Sequence, residues 1–296
     1  MEQEKQTLEI NKIYNMDCLE GMKLIPDKSI DCIICDLPYG TISQSWDEII
    51  PLNDFVKIKN KTYNENDYML YAFKNNIPYK EAILFFKNNK QLGLWSHYNR
   101  IIKDNGAIVL FCTQPFTTIL LNSNKKNYKH CWVWDKKNGA NFMNCKFQPY
   151  KVNEDILVFS SNGKKVNYYP QMVKGKMRKK GGYQKEVSNS LYGENRQLAK
   201  EPEENDLYYP KSIIEMSNAN KKNKIHPTEK PVELVEYLIK TYSQEGQLIL
   251  DNCMGSGSTA IAAINTNRNY IGFELEKKYY DLAVERINNH NKEEEK

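Results

Sequence analysis

The sequence has no apolar run near the ~20 residues that span a bilayer. Its opening Met1-Glu2-Gln3-Glu4-Lys5-Gln6 lacks the apolar core of a secretory signal. Both absences point to the cytoplasm and away from a membrane partner. Histidine is scarce: His97, His130, His226 and His290 fall at no ligand spacing, so no metal is expected. The seven cysteines are scattered and odd in number, which argues against a disulfide framework. Their one C-x-x-C, Cys32 to Cys35, lies inside the apolar run Ile30-Asp31-Cys32-Ile33-Ile34-Cys35 and reads as buried strand rather than metal site. Charge of one sign is also lacking. The net +5 leaves 42 basic residues nearly balanced by 37 acidic ones, which permits a nucleic-acid partner without demanding one. No internal repeat is visible.

What is present is an alternation of strands and helices. Lys12–Met16, Asp31–Cys35, Ala107–Cys112, His130–Trp134, Ile156–Phe159, Gln247–Leu250 and Tyr270–Phe273 read as strands. Cys18–Ile25, Leu92–Lys103, the stretch opened by Pro231, Ser258–Asn265 and Lys277–Asn289 carry apolar residues at helical spacing. Asp104-Asn105-Gly106 reads as the turn between a helix and the strand at Ala107. This pattern predicts an α/β fold with a doubly wound, mostly parallel sheet. Residues 10–160 and 224–290 would form its catalytic and cofactor-binding domain. Residues 41–90 read as a helical insertion, and 160–224 as a polar inserted lobe. That lobe holds the densest basic cluster: Lys174, Lys176, Arg178, Lys179 and Lys180, with Gly175 inside it and Gly181-Gly182 after it. It reads either as a solvated loop or as a grip on phosphates.

Asp251-Asn252-Cys253-Met254-Gly255-Ser256-Gly257-Ser258-Thr259 sits between a strand and a helix, where doubly wound sheets bind ligands. Gly255 and Gly257 allow a sharp turn and close approach to a ligand. Glu274 ends the next strand and can accept both hydrogen bonds of a ribose diol. Gly255-x-Gly257-x-x-Ala260 also matches the dinucleotide fingerprint. However, the 36 residues after Ala260 read as only one more strand and one more helix. No lysine follows the glycines in Walker fashion, and Asp251 would repel a pyrophosphate but pair with an ammonium. A ligand with an ammonium, a ribose and no phosphate fits better, and S-adenosylmethionine is such a ligand.

Asp36-Leu37-Pro38-Tyr39-Gly40 ends another strand. The exocyclic amine of a base is conjugated and poorly nucleophilic. Two acceptors on its two hydrogens, the Asp36 carboxylate and the Leu37 carbonyl, would draw the nitrogen toward tetrahedral geometry. Pro38 stiffens the turn, and Tyr39 offers a face for stacking on a base. Such a base must leave the duplex to be reached.

These segments resemble a known family. Asp36-Leu37-Pro38-Tyr39 is similar to the [DNS]-P-P-[YF] motif of amino-methyltransferases. Asp251 to Gly257 is similar to their F-x-G-x-G cofactor loop, and His226-Pro227-Thr228-Glu229-Lys230-Pro231 to the H-P-T-x-K-P stretch before it. The order, catalytic motif first and cofactor loop last, resembles the β-group of DNA amino-methyltransferases.

The resemblance implies a class I, Rossmann-like methyltransferase fold with an inserted target-recognition lobe at 160–224. It implies S-adenosylmethionine as cofactor, held by Asp17, Cys18, Asp36, Asp251, Met254, Gly255, Gly257, Ser258, Thr259 and Glu274. It implies catalysis by Asp36, Leu37, Pro38 and Tyr39, and a place for Phe142 near the flipped base. The partner would be duplex DNA, contacted by Lys174, Lys176, Arg178, Lys179 and Lys180. A cognate restriction nuclease, and a monomer or a homodimer, stay open. Asp36 as the first motif residue favours adenine N6; cytosine N4, an RNA or protein amide, and a non-catalytic binding module are the alternatives. Leu37 replaces the usual first proline, and Asn252-Cys253-Met254 replaces Pro-Phe-x.

Overall fold

The computed structural model describes residues 8–41, 47–58, 61–64, 67–139, 141–180, 203–218 and 229–294. His226, Pro227 and Thr228 of the H-P-T-x-K-P stretch lie outside them. In chain order the first strands are β1 (Lys12–Asn15), β2 (Ile30–Asp36), β3 (Phe55–Ile58), β4 (Lys61–Asn64), β5 (Ile102–Cys112), β6 (Tyr128–Asp135) and β7 (Asn153–Ser160). They are followed by β8 (Val173–Lys180), β9 (Glu203–Tyr208), β10 (Ile213–Glu215), β11 (Leu248–Asp251) and β12 (Asn269–Glu274). Eight of them form one sheet in the order β1-β12-β11-β2-β5-β7-β6-β10. β7 runs antiparallel to β5 and β6, and the other pairings in this sheet are parallel. The expected α/β, mostly parallel architecture is therefore the observed one.

The sheet is buried on both faces, which explains its near-continuous apolar strands. Alternate residues of β2 serve opposite layers. Cys32 and Ile34 join the layer covered by α6 (Val232–Tyr242), α7 (Ser258–Asn265) and α8 (Lys277–Glu294). Ile33 and Cys35 join the layer covered by α1 (Cys18–Lys23), α4 (Leu94–Ile101) and α5 (Phe116–Ser123). The C-x-x-C thiols are thus buried core groups. Burial pushes the Cys35 thiol up to about 12, which suits neither a metal ligand nor a nucleophile.

Three expectations need correction. The segment 41–90 is not wholly helical. Beside α2 (Tyr68–Lys74) and α3 (Tyr79–Asn89) it contains the antiparallel pair β3 and β4, where Phe55 and Val56 are buried. Asp104-Asn105-Gly106 does not separate helix from strand but lies inside β5, where the pairing with β2 shifts register between Ile30 and Cys32. A side chain at Gly106 would meet Ile102 Cγ1 at 2.5 Å and the Asp31 carbonyl at 2.7 Å, so this bulge accepts glycine alone. Finally, the inserted stretch 160–224 is not one piece. Ile214 is buried and β10 extends the central sheet beside β6. The chain divides into a unit of residues 1–169 and 212–296 and a second, compact unit of residues 170–211. No helix among the described residues is long and apolar enough to cross a membrane.

Candidate active site

From β2 the chain crosses to β5, whereas from β11 it crosses to β12 in the other direction, so the order reverses between β2 and β11. The crevice at the carboxyl ends of two such strands is where open α/β sheets bind ligands. Here those ends are Asp36 and Asp251, and Glu274 ends β12 next door. A cavity of about 330 Å³ opens at this edge, the size of a small-ligand site. It is lined by Asp17, Cys18, Asp36, Leu37, Pro38, Tyr39, Asp251, Met254, Gly255, Ser258, Thr259 and Glu274. The two motifs, more than 200 residues apart in the chain, share one cavity. Gly257 does not line it. It is the left-handed residue (φ 82°) that starts α7.

The glycine loop is held from several sides. Gly255 N–H donates to Glu274 Oε2 (2.8 Å) and Glu276 N–H to Glu274 Oε1 (2.9 Å), which fixes the carboxylate while each oxygen keeps a lone pair. Asn252, standing where the family more often has proline, is buried and accepts from the Tyr98 hydroxyl at 2.6 Å. That hydrogen bond supplies the anchoring that a proline ring would give through its fixed φ. Met254 packs where a side chain on Gly272 would sit, 2.2 Å from its Cε, and forms an apolar wall of the cavity. Arg286 of α8 bonds the Ser256 carbonyl (3.1 Å) and pairs with Glu229 (2.9 Å).

Asp251 is 4% exposed, and no lysine or arginine pairs with it among the described residues. Burial pushes its carboxyl up to about 6, against the pull of hydrogen bonds from Thr259 and the Cys253 N–H. A buried carboxylate without a cation beside a cavity is suited to receive an ammonium. Asp17 Oδ1 is committed to capping α1, accepting from Leu19 N–H (2.8 Å) and Glu20 N–H (3.1 Å).

Around Asp36 the contacts are denser. Its Oδ1 accepts from the Tyr39 hydroxyl (2.6 Å) and its Oδ2 from Lys230 Nζ (2.6 Å). Lys230, only 8% exposed, also pairs with Glu154 at 3.3 Å, and Glu154 with Lys136 at 3.0 Å. Burial pushes the Asp36 carboxyl above its usual range; Lys230 pulls it back, while Glu154 adds to the rise. Burial alone would lower Lys230, but Asp36 and Glu154 hold it above the ordinary lysine value. Burial also works upward on Glu154, yet Lys230 and Lys136 hold it below the usual carboxylate range. Tyr39 stacks on Phe116 with ring centroids 5.4 Å apart. Its hydroxyl is bonded to Asp36.

The lost first proline is compensated. Leu37 is buried, and Asp47 accepts from the Tyr39 N–H (2.8 Å) and the Thr41 N–H (2.6 Å), which closes the turn. Lys230, Glu154, Asp47 and Arg286 were not among the sequence candidates. Only Lys230 carried a signal, as part of a motif.

The basic candidates fall in the second unit. They lie on β8, which pairs with the acidic β9. Lys174 is 3.7 Å from Asp206, and Lys179 and Lys180 stand in register with Glu204 and Glu203. Arg178 lies over the Tyr208 ring at 4.1 Å and donates to the Leu207 carbonyl. Lys176 is exposed. The cluster therefore lies on a strand paired with an acidic one rather than in a loop. Phe142 lies on the loop after β6, 78% exposed.

Residues 30–285 match the family described as DNA methylase, of the N6 and N4 type. Among curated proteins, the Type II methyltransferase M2.MboI of Moraxella bovis is 26% identical over 278 residues, covering 93% of this chain and 86% of its own. The Type II methyltransferase M1.MboII, also of Moraxella bovis, is 26% identical over 296 residues, covering 93% and 96%. Among solved structures, the PvuII DNA methyltransferase, described as cytosine-N4-specific, superimposes with a TM-score of 0.58 at 15% identity, covering 95% of this chain and 87% of its own. The M1.HpyAVI complex with S-adenosylmethionine gives 0.52 at 22% identity, covering 94% and 98%. Those two likenesses are of fold. With the family match spanning most of the sequence, and with both of its motifs meeting at one cavity, this chain belongs to the N6/N4 DNA methylase family, whose methyl donor is S-adenosylmethionine.

Proposed function

We propose that this chain is a site-specific DNA methyltransferase that methylates N6 of an adenine flipped out of duplex DNA. The observation that carries this reading is Asp36: a carboxylate, paired with Lys230, lining the same cavity as Asp251 and Glu274. The residues fit S-adenosylmethionine. Asp251 offers a carboxylate to the ammonium, Glu274 offers free lone pairs to the ribose hydroxyls, and Met254 offers an apolar wall. When bound, the cofactor supplies an electrophilic methyl carbon on a sulfonium.

The protein does the rest. Asp36 and the Leu37 carbonyl accept the two N6 hydrogens and aim the nitrogen lone pair at the methyl group. As the new N–C bond forms, the methyl carbon's bond to sulfur breaks, its electron pair stays on the departing neutral thioether, and the nitrogen sheds one proton, which the Asp36 carboxylate takes and passes to water. Positioning supplies much of the rate, because in-line attack needs alignment more than acid–base assistance. The carboxylate, rather than a serine, at the first motif position favours adenine over cytosine. Asp36→Ala tests the assignment. Methyl transfer to plasmid DNA should fall by at least about 1,000-fold, while S-adenosylmethionine still binds in a calorimetric titration. Retained transfer would remove Asp36 from the chemistry.

A further inference from the structure

The loop between β6 and β7, residues 136–152, holds three large apolar side chains in solvent. Phe142 is 78% exposed, Met143 91% and Phe147 89%. Single exposed apolar residues are ordinary, but three within six positions form a local apolar projection. The loop is tied at its base. The Asn141 side chain donates to the Pro149 carbonyl (3.1 Å) and accepts from the Lys151 N–H (2.8 Å). The Tyr150 hydroxyl donates to the Gly139 carbonyl (2.9 Å), and Lys151 Nζ bonds Thr113, the residue just after β5.

Two further observations say what this projection meets. The first is charge. Between positions 136 and 152 there are four lysines and no acidic residue. Lys136 and Lys137 turn to Glu154, Asp135 and Glu215, whereas Lys146 is exposed. The second is place. The register runs from Asp36 to Phe111, from Phe111 to Ile156, and from Trp134 to Glu154. The loop therefore leaves the same sheet edge as Asp36, two and three strands away, or about 10–14 Å at the spacing of neighbouring strands.

We propose that Phe142, Met143 and Phe147 form a wedge that enters the base stack of duplex DNA beside the target nucleotide and fills the space it vacates. This rests on the reading of the chain as a base-flipping DNA methyltransferase. Apolar wedges are used this way where a protein must pay for unstacking. Here the apolar tip covers the exposed neighbours of the gap, and Lys146 faces the phosphates.

The test uses the full chain and the double variant Met143→Ala/Phe147→Ala, whose lost atoms are almost entirely in solvent, so folding is not at stake. The methylated site is first mapped on plasmid DNA modified by the wild-type protein. Two synthetic duplexes then carry that site, one with the target base normally paired and one with it opposite an abasic position. The variant should lose about tenfold or more in kcat/KM on the paired duplex, yet stay within about threefold of wild type on the abasic one, where extrusion is already cheap. Equal losses on both duplexes would make the loop a general DNA contact and overturn the wedge. No loss on either would make it a bystander. A change in sedimentation with unchanged methylation would make it a surface between copies. If the wild-type protein transfers no methyl group to DNA at all, the underlying reading fails, and the wedge with it.

Discussion

Lys230 Nζ lies 2.6 Å from Asp36 Oδ2, joining two residues 194 positions apart within a partly buried chain of charges that continues to Glu154 and Lys136. Burial works toward protonating this carboxylate. Lys230 opposes that tendency, so in the proposed reading it favours the charged form of the group that accepts hydrogens from the amine.

Lys230→Met should therefore raise the Asp36 pKa further. Activity that requires the ionised form falls as pH drops through that pKa, so the acid limb of kcat/KM moves to higher pH. At neutral pH the loss should be about tenfold or more. Lys230→Arg keeps the charge and should keep most of the acid limb in place. An unchanged pH profile in Lys230→Met, with the protein folded by circular dichroism, would reduce the lysine to packing.

In the proposed reading, Asp251 receives the ammonium of the cofactor. Its carboxyl is raised to about 6 by burial, and an ammonium partner favours the ionised form. As pH falls through this value the carboxylate is neutralised, so the Kd for S-adenosylmethionine should rise, by up to about tenfold per pH unit once well below it. Binding near pH 6 should also take up fewer protons than it releases. Calorimetry in buffers of different ionisation enthalpy measures both effects, and Asp251→Asn should flatten the dependence.

Asp47 replaces a proline's rigidity with two hydrogen bonds. Asp47→Ala leaves the N–H groups of Tyr39 and Thr41 without this acceptor, at a cost of about 1–3 kcal/mol each if they stay dry. The expected outcome is a lower kcat with a lower melting temperature and a nearly unchanged cofactor Kd. A normal kcat would show that the Asp36 turn holds itself.

His97 is 1% exposed, and neither ring nitrogen has a hydrogen-bond partner. Burial lowers its pKa from the ordinary 6.5. The folded state therefore resists a proton that the unfolded chain accepts, and stability falls as pH drops below about 6.5. His97→Phe should be more stable than wild type at pH 5.5, and the gap should narrow by pH 8. Denaturant unfolding at both values measures it; a pH-independent difference would contradict the assignment.

The strands and both motifs were legible in the sequence because each depends on local pattern. Cys32 to Cys35 is apolar because β2 is buried on both faces, and Asp36, Asp251 and Glu274 are recognisable because each is the first polar group after such a run. What stabilises them was not legible. Glu154 and Arg286 act through contacts between residues distant in the chain, Asp47 through a loop contact six to eight residues away, and nothing in their immediate neighbours marks them; Lys230 stood inside a motif, but its pairing with Asp36 did not show. The pair β3 and β4 was missed because Phe55–Ile58 and Lys61–Asn64 are too short and mixed to show a period. The basic run of β8 looked like a free cationic tract because the acidic strand beside it comes more than 20 residues later.

The most direct measurement is mass spectrometry of nucleosides from duplex DNA methylated by the wild-type protein with isotope-labelled S-adenosylmethionine. N6-methyladenine carrying the label is the expected product, lost in Asp36→Ala. Labelled N4-methylcytosine in its place would keep the fold and the cavity but contradict the use of Asp36 to choose the base.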